Sequence, residues 1–583
     1  MSYLDKINSP EDLKDFSIIE LELLADEIRE FLINSISKTG GHLSSNLGVV
    51  DVTIALNYCF DFSQDKIVWD VGHQAYTHKI LTGRKKDFKM LRKKDGLSGF
   101  PKTSESIYDH FNTGHSSTAI SAGLGFVAGR DLNNKNYNIV SVVGDGAMTG
   151  GIVYEAMNNA GINNKKMIII LNDNQMSIDE NVGSLTNHLN NLRYAPRYID
   201  AKIDVKKFLN KFDICGDALN KILEKTKEGV KHAILPSVMF EQFGIKYIGP
   251  IDGHDIKWLI KALNSVKNIN RPVLLHIVTK KGYGYKLAED KPNKFHGIAP
   301  FNTLTGEIRN KQAVDTYSDV FSEFMVKEGN KNSKLIAITA AMPSGTGLTL
   351  FSKLYKERFF DVGIAEEHAV IFSAGLAMSG FIPVFAVYST FLQRSYDQII
   401  HDVCLQNLKV IFAIDRAGIV GDDGETHQGV FDLSYLSHVP NLCIIAPKSK
   451  TELVNMLDFA VNKHYGPIAI RYPRGSANDD FKEVETSIEF AKSEFLYTSE
   501  DKKIIIIGVG SMLENLKVVY ELLLKDGIKT TLVNARFIAP IDVSLLNKIK
   551  CDYEYVFTVE ENLISGGFGQ SLLYELNKLE VFD

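Results

Sequence analysis

Short apolar runs alternate along the chain with segments of helical spacing. Two such runs, Tyr137–Val143 and Met167–Leu171, predict buried strands, and Gly150–Gly161 between them predicts a helix. The apolar spacing of residues 17–38 predicts an amphipathic helix. Further strands are predicted at Lys66–Val71, Val273–Val278, Lys334–Thr339, Lys503–Ile507, Thr530–Asn534 and Tyr555–Glu561. Strands that alternate with helices are typical of α/β domains with parallel sheets.

Oxygen-bearing side chains follow the first two of these strands. Gly144-Asp145-Gly146 ends the first, and Asn174 and Met176 follow the second, with Asp145 and Asn174 29 positions apart. Ligands of open α/β sheets bind at the carboxyl ends of the strands. The Asp145 carboxylate, the Asn174 amide oxygen and the Met176 carbonyl suit Mg²⁺ and leave about three positions for diphosphate oxygens and water. Gly-Asp-Gly alone is more often a tight turn, but the second half at this spacing favours a metal site.

Length, charge and cysteine content restrict the kinds of protein that this chain can be. A chain of 583 residues is too long for one hydrophobic core, and its formal charge of −6 provides no basic field for nucleic acid. The five cysteines are scattered without a CxxC pair, which indicates reduced thiols. Neither a signal-peptide apolar region nor a membrane-length apolar run is present in the sequence, so we expect a cytoplasmic protein.

Three histidines in the first half lie in glycine-containing loops. His42 is either a turn residue or a functional histidine. His73 follows the strand at Lys66–Val71 and so faces the ligand edge, although it could instead cap the next helix. The segment Gly114-His115-Ser116 opens a helix whose free N–H groups would favour a phosphate, but ordinary helix N-caps have the same composition.

The second half contains a candidate acid and several candidate anion-binding residues. Glu366 follows a short strand and opens an apolar helix. A partly buried carboxyl group there, with a raised pKa, could take part in proton transfer, whereas two adjacent acids at a helix start are commonly only a charged N-terminus. Arg394, Arg416 and Arg474 lie in separate loops, and guanidinium groups that converge suit a phosphorylated substrate. Any one of them alone could be a surface ion pair.

Taken together, these motifs match a known pattern. The matching segments are Gly41-His42, Trp69–Leu81, Gly114–Ser117, Gly144–Gly146 and Asn172–Val182. On these residues the chain resembles the 1-deoxy-D-xylulose-5-phosphate synthase family, relatives of transketolase among the thiamin diphosphate enzymes. The segment Ser177–Gly183 separates this pattern from that of ordinary transketolase. The resemblance spans essentially the whole chain.

The resemblance implies a transketolase-like α/β fold of three domains, each with a mostly parallel sheet flanked by helices. Residues 1–300 would bind diphosphate and Mg²⁺, residues 301–485 would bind the aminopyrimidine, and residues 486–583 would form a C-terminal α/β domain. Members of the family continue through a further strand and helix, so we expect this sequence to be truncated. Residues 184–235, rich in Asn and Lys, predict an irregular, mobile excursion near the site.

The implied reaction is the condensation of pyruvate with D-glyceraldehyde 3-phosphate to 1-deoxy-D-xylulose 5-phosphate and CO₂. It depends on thiamin diphosphate and Mg²⁺, starts the non-mevalonate route to isoprenoid precursors, and also feeds thiamin and pyridoxal biosynthesis. Members are homodimers and need neither nucleic acid nor a membrane. The alternatives are a transketolase that moves two-carbon units between sugar phosphates, or a non-catalytic homologue.

The resemblance also assigns roles to residues. The catalytic residues are Glu366, His42, His73, His296 and His427. The cofactor-binding residues are His73, Gly114, His115, Ser116, Gly146, Ala147, Asn174, Tyr285, Glu366 and Phe391. The substrate-binding residues are Tyr388, Arg394, Arg416, Asp423, His427 and Arg474. The metal ligands are Asp145, Asn174 and Met176.

Overall fold

The computed structural model describes residues 2–176, 181–184, 186–189, 238–309, 315–421, 424–481, 487–501 and 503–579. The chain divides into two compact units, Met1–Lys311 and Gln312–Asp583.

The first unit is built on a sheet of five parallel strands in the order β1-β2-β3-β5-β4. The strands are β1 (Lys66–Trp69), β2 (Ile139–Gly144), β3 (Met167–Asp173), β4 (Lys246–Asp252) and β5 (Pro272–Val278). The central strand β3 is buried along its whole length. This burial explains why its sequence is a continuous apolar run rather than an alternating one. Because all five strands run the same way, their carboxyl ends lie at one edge of the sheet.

Helices cover this sheet. They are α1 (Ile18–Thr39), α2 (Leu43–Gly48), α3 (Val50–Cys59), α4 (Tyr76–Lys79), α5 (Ala119–Leu132), α6 (Gly151–Asn163), α7 (Val238–Gln242), α8 (Ile256–Val266) and α9 (Lys286–Asp290). Helix α1 begins with a capping box, in which Ser17 and Glu20 satisfy each other's backbone N–H groups. It buries Leu21, Leu24, Ile28 and Leu32 in the core. The helical spacing of residues 17–38 therefore predicted this element to within one residue.

The second unit contains two sheets. The larger has the order β15-β10-β11-β9-β8-β6-β7 and the smaller the order β12-β14-β13-β16. Their strands are β6 (Leu335–Thr339), β7 (Phe359–Asp361), β8 (Ile382–Tyr388), β9 (Ile411–Asp415), β10 (Cys443–Ile445), β11 (Ile468–Arg471), β12 (Glu494–Tyr497), β13 (Ile504–Gly508), β14 (Thr531–Asn534), β15 (Phe537–Ala539) and β16 (Tyr555–Val559). Only β15 on β10 and β12 on β14 pair antiparallel among these strands.

The helices of the second unit alternate with its strands. They are α10 (Tyr317–Lys331), α11 (Thr349–Leu354), α12 (Glu366–Met378), α13 (Ser389–Leu392), α14 (Tyr396–Gln398), α15 (Asp432–Leu436), α16 (Lys450–Asp458), α17 (Met512–Lys525), α18 (Val543–Asp552) and α19 (Phe568–Lys578). Helix α12 begins at Glu366, as the sequence predicted, directly after β7 and a short turn.

The three mostly parallel sheets flanked by helices confirm the expected fold class. Several predicted strand boundaries differ by one or two residues. For example, β1 ends at Trp69 rather than at Val71, because Val71 has φ 59° and left-handed backbone cannot continue a strand. The division into three domains stays a prediction. Of the expected excursion at 184–235, all but residues 184 and 186–189 lies outside the described residues. Within the described part of the chain, we find no helix with the length and apolar content of a membrane span.

Candidate functional site

Asp145 lies directly after β2, beside the end of β3. Its backbone N–H donates to the Asn172 carbonyl at 3.1 Å, and its Oδ2 accepts from the Gln175 N–H at 2.7 Å. Gln175 has φ 67°, a left-handed turn that directs this N–H back toward β2. Asp145 Oδ1 is buried and accepts no hydrogen bond from the described residues. The carboxylate is thus held by one oxygen, and the other can bind a cation.

The electrostatics of this edge favour a cation. Burial, followed by the neighbouring Asp173 carboxylate, raises the pKa of Asp145 above its usual range. Asn174 Oδ1 accepts from the Met176 N–H at 3.0 Å, so both residues lie in one tight turn. No group of three His, Cys, Asp or Glu suited to a metal occurs in the described ranges. Beyond the Asp145 carboxylate, an ion here would therefore depend on amide, carbonyl and ligand oxygens, which is the donor set that Mg²⁺ accepts.

Three of the predicted histidines form a cluster in the first unit. The ring centroids of His42 and His73 are 5.5 Å apart, those of His73 and His296 are 5.0 Å apart, and those of His42 and His296 are 5.9 Å apart. His42 Nδ1 lies 3.1 Å from the Tyr76 hydroxyl. The sequence placed these residues up to 254 positions apart, and the fold brings their rings together.

Asn46 joins two of the histidine loops. Its Nδ2 donates to the His42 carbonyl at 2.6 Å and to the His73 carbonyl at 2.8 Å, and its Oδ1 accepts from the Tyr76 N–H at 2.8 Å. The side chain is fully buried. Asn46 was not among the residues predicted from the sequence, although an amide side chain in the glycine- and serine-containing segment after His42 was a signal for it.

Lys281 approaches the cluster from the loop after β5. Its Nζ lies 3.1 Å from His296 Nδ1, and the lysine is buried. Burial, followed by the charge of Lys281, lowers the pKa of His296 well below its usual value. His296 is therefore neutral near pH 7 and can accept or donate a proton without carrying a permanent charge.

The start of helix α5 is already occupied by a carboxylate. Asp70 accepts from the Ser117 N–H at 2.7 Å and from the Ala119 N–H at 3.1 Å. The expectation that these helix-start amides are open to a phosphate is therefore corrected, because Asp70 is the anion that they bind. Gly114, His115 and Ser116 precede α5 by three to five residues and lie outside the helix. This loop packs closely on the loop after β1, since a Cβ on Gly72 would lie 2.4 Å from Thr113 Oγ1.

Tyr285 is half-buried between the loop after β5 and the end of the first unit. Its hydroxyl donates to the Thr303 carbonyl at 2.6 Å, and burial raises its pKa. The ring contacts Phe295 edge-on at 5.6 Å. The Tyr285 side chain is thus held by a hydrogen bond at its hydroxyl and by a ring contact with Phe295.

Glu366 is the first residue of helix α12 in the second unit. It is 2% exposed, and its Oε2 is buried with no hydrogen-bond partner among the described residues. Burial raises the pKa of Glu366 to about 7, and the charge of Arg394 opposes this rise. A buried carboxyl group with one open oxygen and a pKa near neutrality can hold or release a proton at pH 7.

A second group of predicted residues lies at the carboxyl ends of β8 and β9. Tyr388 stacks on Phe391 with centroids 5.6 Å apart, and Phe391 meets the His427 ring edge-on at 5.5 Å. The Arg416 guanidinium lies 4.1 Å from the Tyr388 ring centroid. These four side chains form an aromatic and cationic cluster within the second unit.

The contacts of Arg416 involve residues that sequence analysis did not single out. Its Nη1 donates to the Gly345 carbonyl at 2.7 Å and to Ser318 Oγ at 3.1 Å, and it pairs with the buried Asp415. A Cβ on Gly345 would lie 2.2 Å from the Tyr388 hydroxyl, so only glycine leaves room for the tyrosine. The sequence offered one signal for these contacts, because the acidic residue Asp415 directly precedes Arg416.

For three of the predicted substrate-binding residues, the structure gives less detail about their contacts. Arg474 lies in an exposed loop after β11. Arg394 belongs to a short turn beside α13 and acts on Glu366 through its charge. Asp423 lies outside the described residues, as does most of the segment Ser177–Gly183.

Comparison with known proteins gives one consistent result. Residues 4–279 match the family described as 1-deoxy-D-xylulose-5-phosphate synthase, residues 315–479 match the transketolase pyrimidine binding domain, and residues 493–583 match the transketolase C-terminal domain. The proteins named 1-deoxy-D-xylulose-5-phosphate synthase from Clostridium botulinum and Clostridium tetani are each 53% identical to the chain. These matches cover 99% and 98% of this chain and 93% and 91% of the relatives. The chain therefore belongs to the 1-deoxy-D-xylulose-5-phosphate synthase family.

Proposed function

We propose that the protein condenses pyruvate with D-glyceraldehyde 3-phosphate to 1-deoxy-D-xylulose 5-phosphate and CO₂, with thiamin diphosphate and Mg²⁺ as cofactors. The observation that carries the proposal is Glu366, a buried acid with one open oxygen and a pKa raised to about 7, in a chain of this family. Thiamin diphosphate, when bound, supplies the electron sink for decarboxylation and carbon–carbon bond formation.

In this proposal the metal is bound at the edge of the first sheet. Asp145 Oδ1, the Asn174 amide oxygen and the Met176 carbonyl are its ligands. The support is the buried, unpartnered Oδ1 and the cation-favouring pair of Asp145 and Asp173. Gly114, His115, Ser116, Gly146 and Ala147 would hold the diphosphate, and Tyr285 would pack against the cofactor.

Glu366 would hold a proton at Oε2, and this proton could exchange with a ring nitrogen of the aminopyrimidine when the cofactor is bound. Its raised pKa supports this role, because an acid with a pKa near the working pH is efficient in both directions. Phe391 is proposed to stack on the pyrimidine. Arg394, whose charge opposes the rise in the pKa of Glu366, is proposed to contact the substrate.

The histidine cluster orients the reacting carbonyl groups and moves protons. His296 is suited to this because its lowered pKa keeps it neutral. His42 and His73 share the bridge through Asn46, which fixes the two backbone carbonyls. In the second unit, His427 is proposed to serve as a further proton carrier near Phe391.

The acceptor phosphate is assigned to Arg416, Arg474 and Tyr388, with Asp423 and His427 lining the same pocket. Arg416 is supported by its fixed position against Asp415 and the Tyr388 ring. A guanidinium that is already oriented loses less entropy when it binds phosphate. We also propose that the protein is a homodimer and works in the cytoplasm, in the first step of isoprenoid precursor synthesis by the non-mevalonate route.

A direct assay tests the proposal. Purified protein receives pyruvate and D-glyceraldehyde 3-phosphate, with and without thiamin diphosphate and Mg²⁺. We expect CO₂ release and a pentulose phosphate only when both cofactors are present. A transketolase would release no CO₂ from pyruvate, and a non-catalytic homologue would give no product, so either outcome would overturn the proposal.

A further inference from the structure

A cluster of polar and aromatic side chains lies behind the loop that carries Lys281. It brings together Arg29 of α1, Asp51 of α3, His254 after β4, and Lys280 and Tyr283 after β5. We call these five residues the His254 cluster. Four separate elements of the first unit meet there, although none of the five residues belongs to the proposed active site.

The hydrogen bonds of His254 fix its tautomer. Its Nε2 lies 2.9 Å from the backbone N of Lys280, and an amide N–H can only donate, so Nε2 is the accepting nitrogen. The ring proton is therefore on Nδ1, which donates to Asp51 Oδ2 at 2.8 Å. Asp51 is buried and also pairs with Arg29. His254 is thus held from behind while it binds the loop in front.

Stacking holds the ring in its plane. The His254 and Tyr283 rings are stacked, with centroids 3.7 Å apart and planes 17° from parallel. The Arg29 guanidinium lies 4.8 Å from the Tyr283 centroid. A stacked, doubly hydrogen-bonded imidazole has little freedom, so the position of the Lys280 N–H that it binds is well defined.

The rest of the loop fits tightly against its surroundings. The Gly282 N–H donates to the Ser44 carbonyl at 2.8 Å, and Gly282 has φ 81°. A Cβ on Gly282 would lie 2.5 Å from the carbonyl carbon of Ala288. The loop is therefore fixed by two backbone hydrogen bonds, one on each side of Lys281.

This geometry determines what Lys281 reaches. Its ammonium can only donate, so the 3.1 Å contact with His296 requires a lone pair on His296 Nδ1 and places the His296 proton on Nε2. Lys281 is buried and His296 is partly buried, and a small displacement of the loop would remove the contact between them.

We propose that His254 is a positioning residue: by accepting the Lys280 N–H, it places Lys281 against His296 and so fixes the tautomer of that catalytic histidine. The inference rests on the proposed function for the role of His296. It goes beyond that function in assigning a task to a histidine outside the active site.

Two substitutions separate the hydrogen bonds of His254. In His254→Gln the side-chain oxygen lies near the place of Nε2 and can still accept from Lys280. In His254→Asn the amide lies near the place of Nδ1 and can contact only Asp51. His254→Phe keeps the stacking and removes both bonds, and His401→Gln, at an exposed histidine, is the matched control.

Three measurements are made on each variant. Hydrogen exchange reports the Lys280 amide, ¹⁵N-histidine NMR reports the tautomer and pKa of His296, and steady-state kinetics reports kcat. We expect Gln to resemble the wild type. We expect Asn and Phe to exchange the Lys280 amide faster, to raise the pKa of His296 because Lys281 moves away, and to lower kcat by as much as about 100-fold. The His401 control should change none of these.

Lys281→Met provides an independent check should the His254 variants fold poorly. It should raise the pKa of His296 in the same way while the Lys280 amide stays protected. Equal behaviour of the Gln and Asn variants, wild-type kcat in the Phe variant, or an unchanged His296 in Lys281→Met would each overturn the inference. The exchange and NMR measurements need no substrate, so they decide the inference even if the wild-type protein fails to form product.

Discussion

Two buried glutamates of the second unit have very different polar surroundings. Glu366 and Glu494 are 2% and 4% exposed. Glu494 pairs with Arg536 Nη2 at 2.8 Å and with Lys448 Nζ at 2.9 Å. Glu366 Oε2 has no hydrogen-bond partner among the described residues, and the charge of Arg394 favours its ionised form.

The consequence is that the two pKa values move in opposite directions. Burial raises the pKa of Glu366 to about 7. For Glu494 burial acts in the same direction, but Arg536 and the hydrogen bonds of Lys448 and Asn534 outweigh it, and the pKa is lowered. Burial alone therefore does not mark a functional acid. A functional acid is distinguished by burial without the paired cations that a structural acid has.

The largest expected effect is on turnover. Glu366→Gln keeps the shape of the side chain and removes its titratable proton, so kcat should fall about 1,000-fold. Thermal melting at neutral pH should be unchanged or higher, because an uncompensated buried acid is lost. Glu367→Gln, at the adjacent and less buried acid, is the control. Near-wild-type turnover in Glu366→Gln would show that Glu366 is not a functional acid.

The next effect is on stability. Glu494→Ala leaves Arg536 and Lys448 buried without this acid, and the free energy of unfolding should fall by about 3–5 kcal/mol. Turnover per folded molecule should not change. The matched control is Glu575→Ala, which removes an exposed pair with Lys578 and should cost about 1 kcal/mol or less. A Glu494 variant that melts normally but is inactive would contradict the structural assignment.

The two acids should also give opposite pH dependences of stability. Because the pKa of Glu366 is raised from 4.5 to about 7, its contribution is present below pH 4.5 and is lost as the pH rises toward 7. The change is about 3 kcal/mol. Glu494, with a lowered pKa, contributes above its ordinary value and loses this contribution as the pH falls below it. Raising the pH from about 4 to about 7 should therefore shift the stability of the two variants relative to wild type in opposite directions: Glu366→Gln should become more stable than wild type, and Glu494→Gln should become less stable than wild type. The same direction for both would refute the comparison.

The smallest effect concerns Asp145, a third buried acid, whose Oδ1 accepts no hydrogen bond from the described residues. Asp145→Asn keeps an oxygen and removes the charge, so Mn²⁺ or Mg²⁺ affinity should fall roughly 10–100-fold. Calorimetry, or electron paramagnetic resonance of Mn²⁺, measures this without turnover. Asp131→Asn, at a surface pair with Arg130, should bind metal normally. Equal affinity in both variants would exclude Asp145 as a ligand.

Part of this architecture was predictable because its signals are local. The strand at Met167–Asp173 is a continuous apolar run, and Asp145, Asn174 and Glu366 each follow a strand. A strand end fixes where a side chain lies to within a residue, whatever the rest of the chain does. The fold class and the placement of these three residues after their strands could therefore be predicted.

Contacts between distant segments could not be predicted in this way. Asp70 binds amides 47 and 49 positions away, and Lys281 meets a histidine 15 positions further on. Arg536 joins Glu452 across 84 positions. Such partners depend on which loops the packed helices and sheets bring together, and a single sequence contains no periodic signal for them. The anion at the start of α5 was missed for this reason.

Asn46 has a consequence for how the histidine loops tolerate change. Its one amide group ties the carbonyls of His42 and His73 and the N–H of Tyr76, so a shift in either loop is transmitted to the other. Substitutions of His42 and His73 should then be strongly non-additive, and a double-mutant cycle repeated in an Asn46→Ala background should lose most of that coupling. In kinetic measurements the two histidines would then behave as one coupled unit, because Asn46 links the loops that carry them.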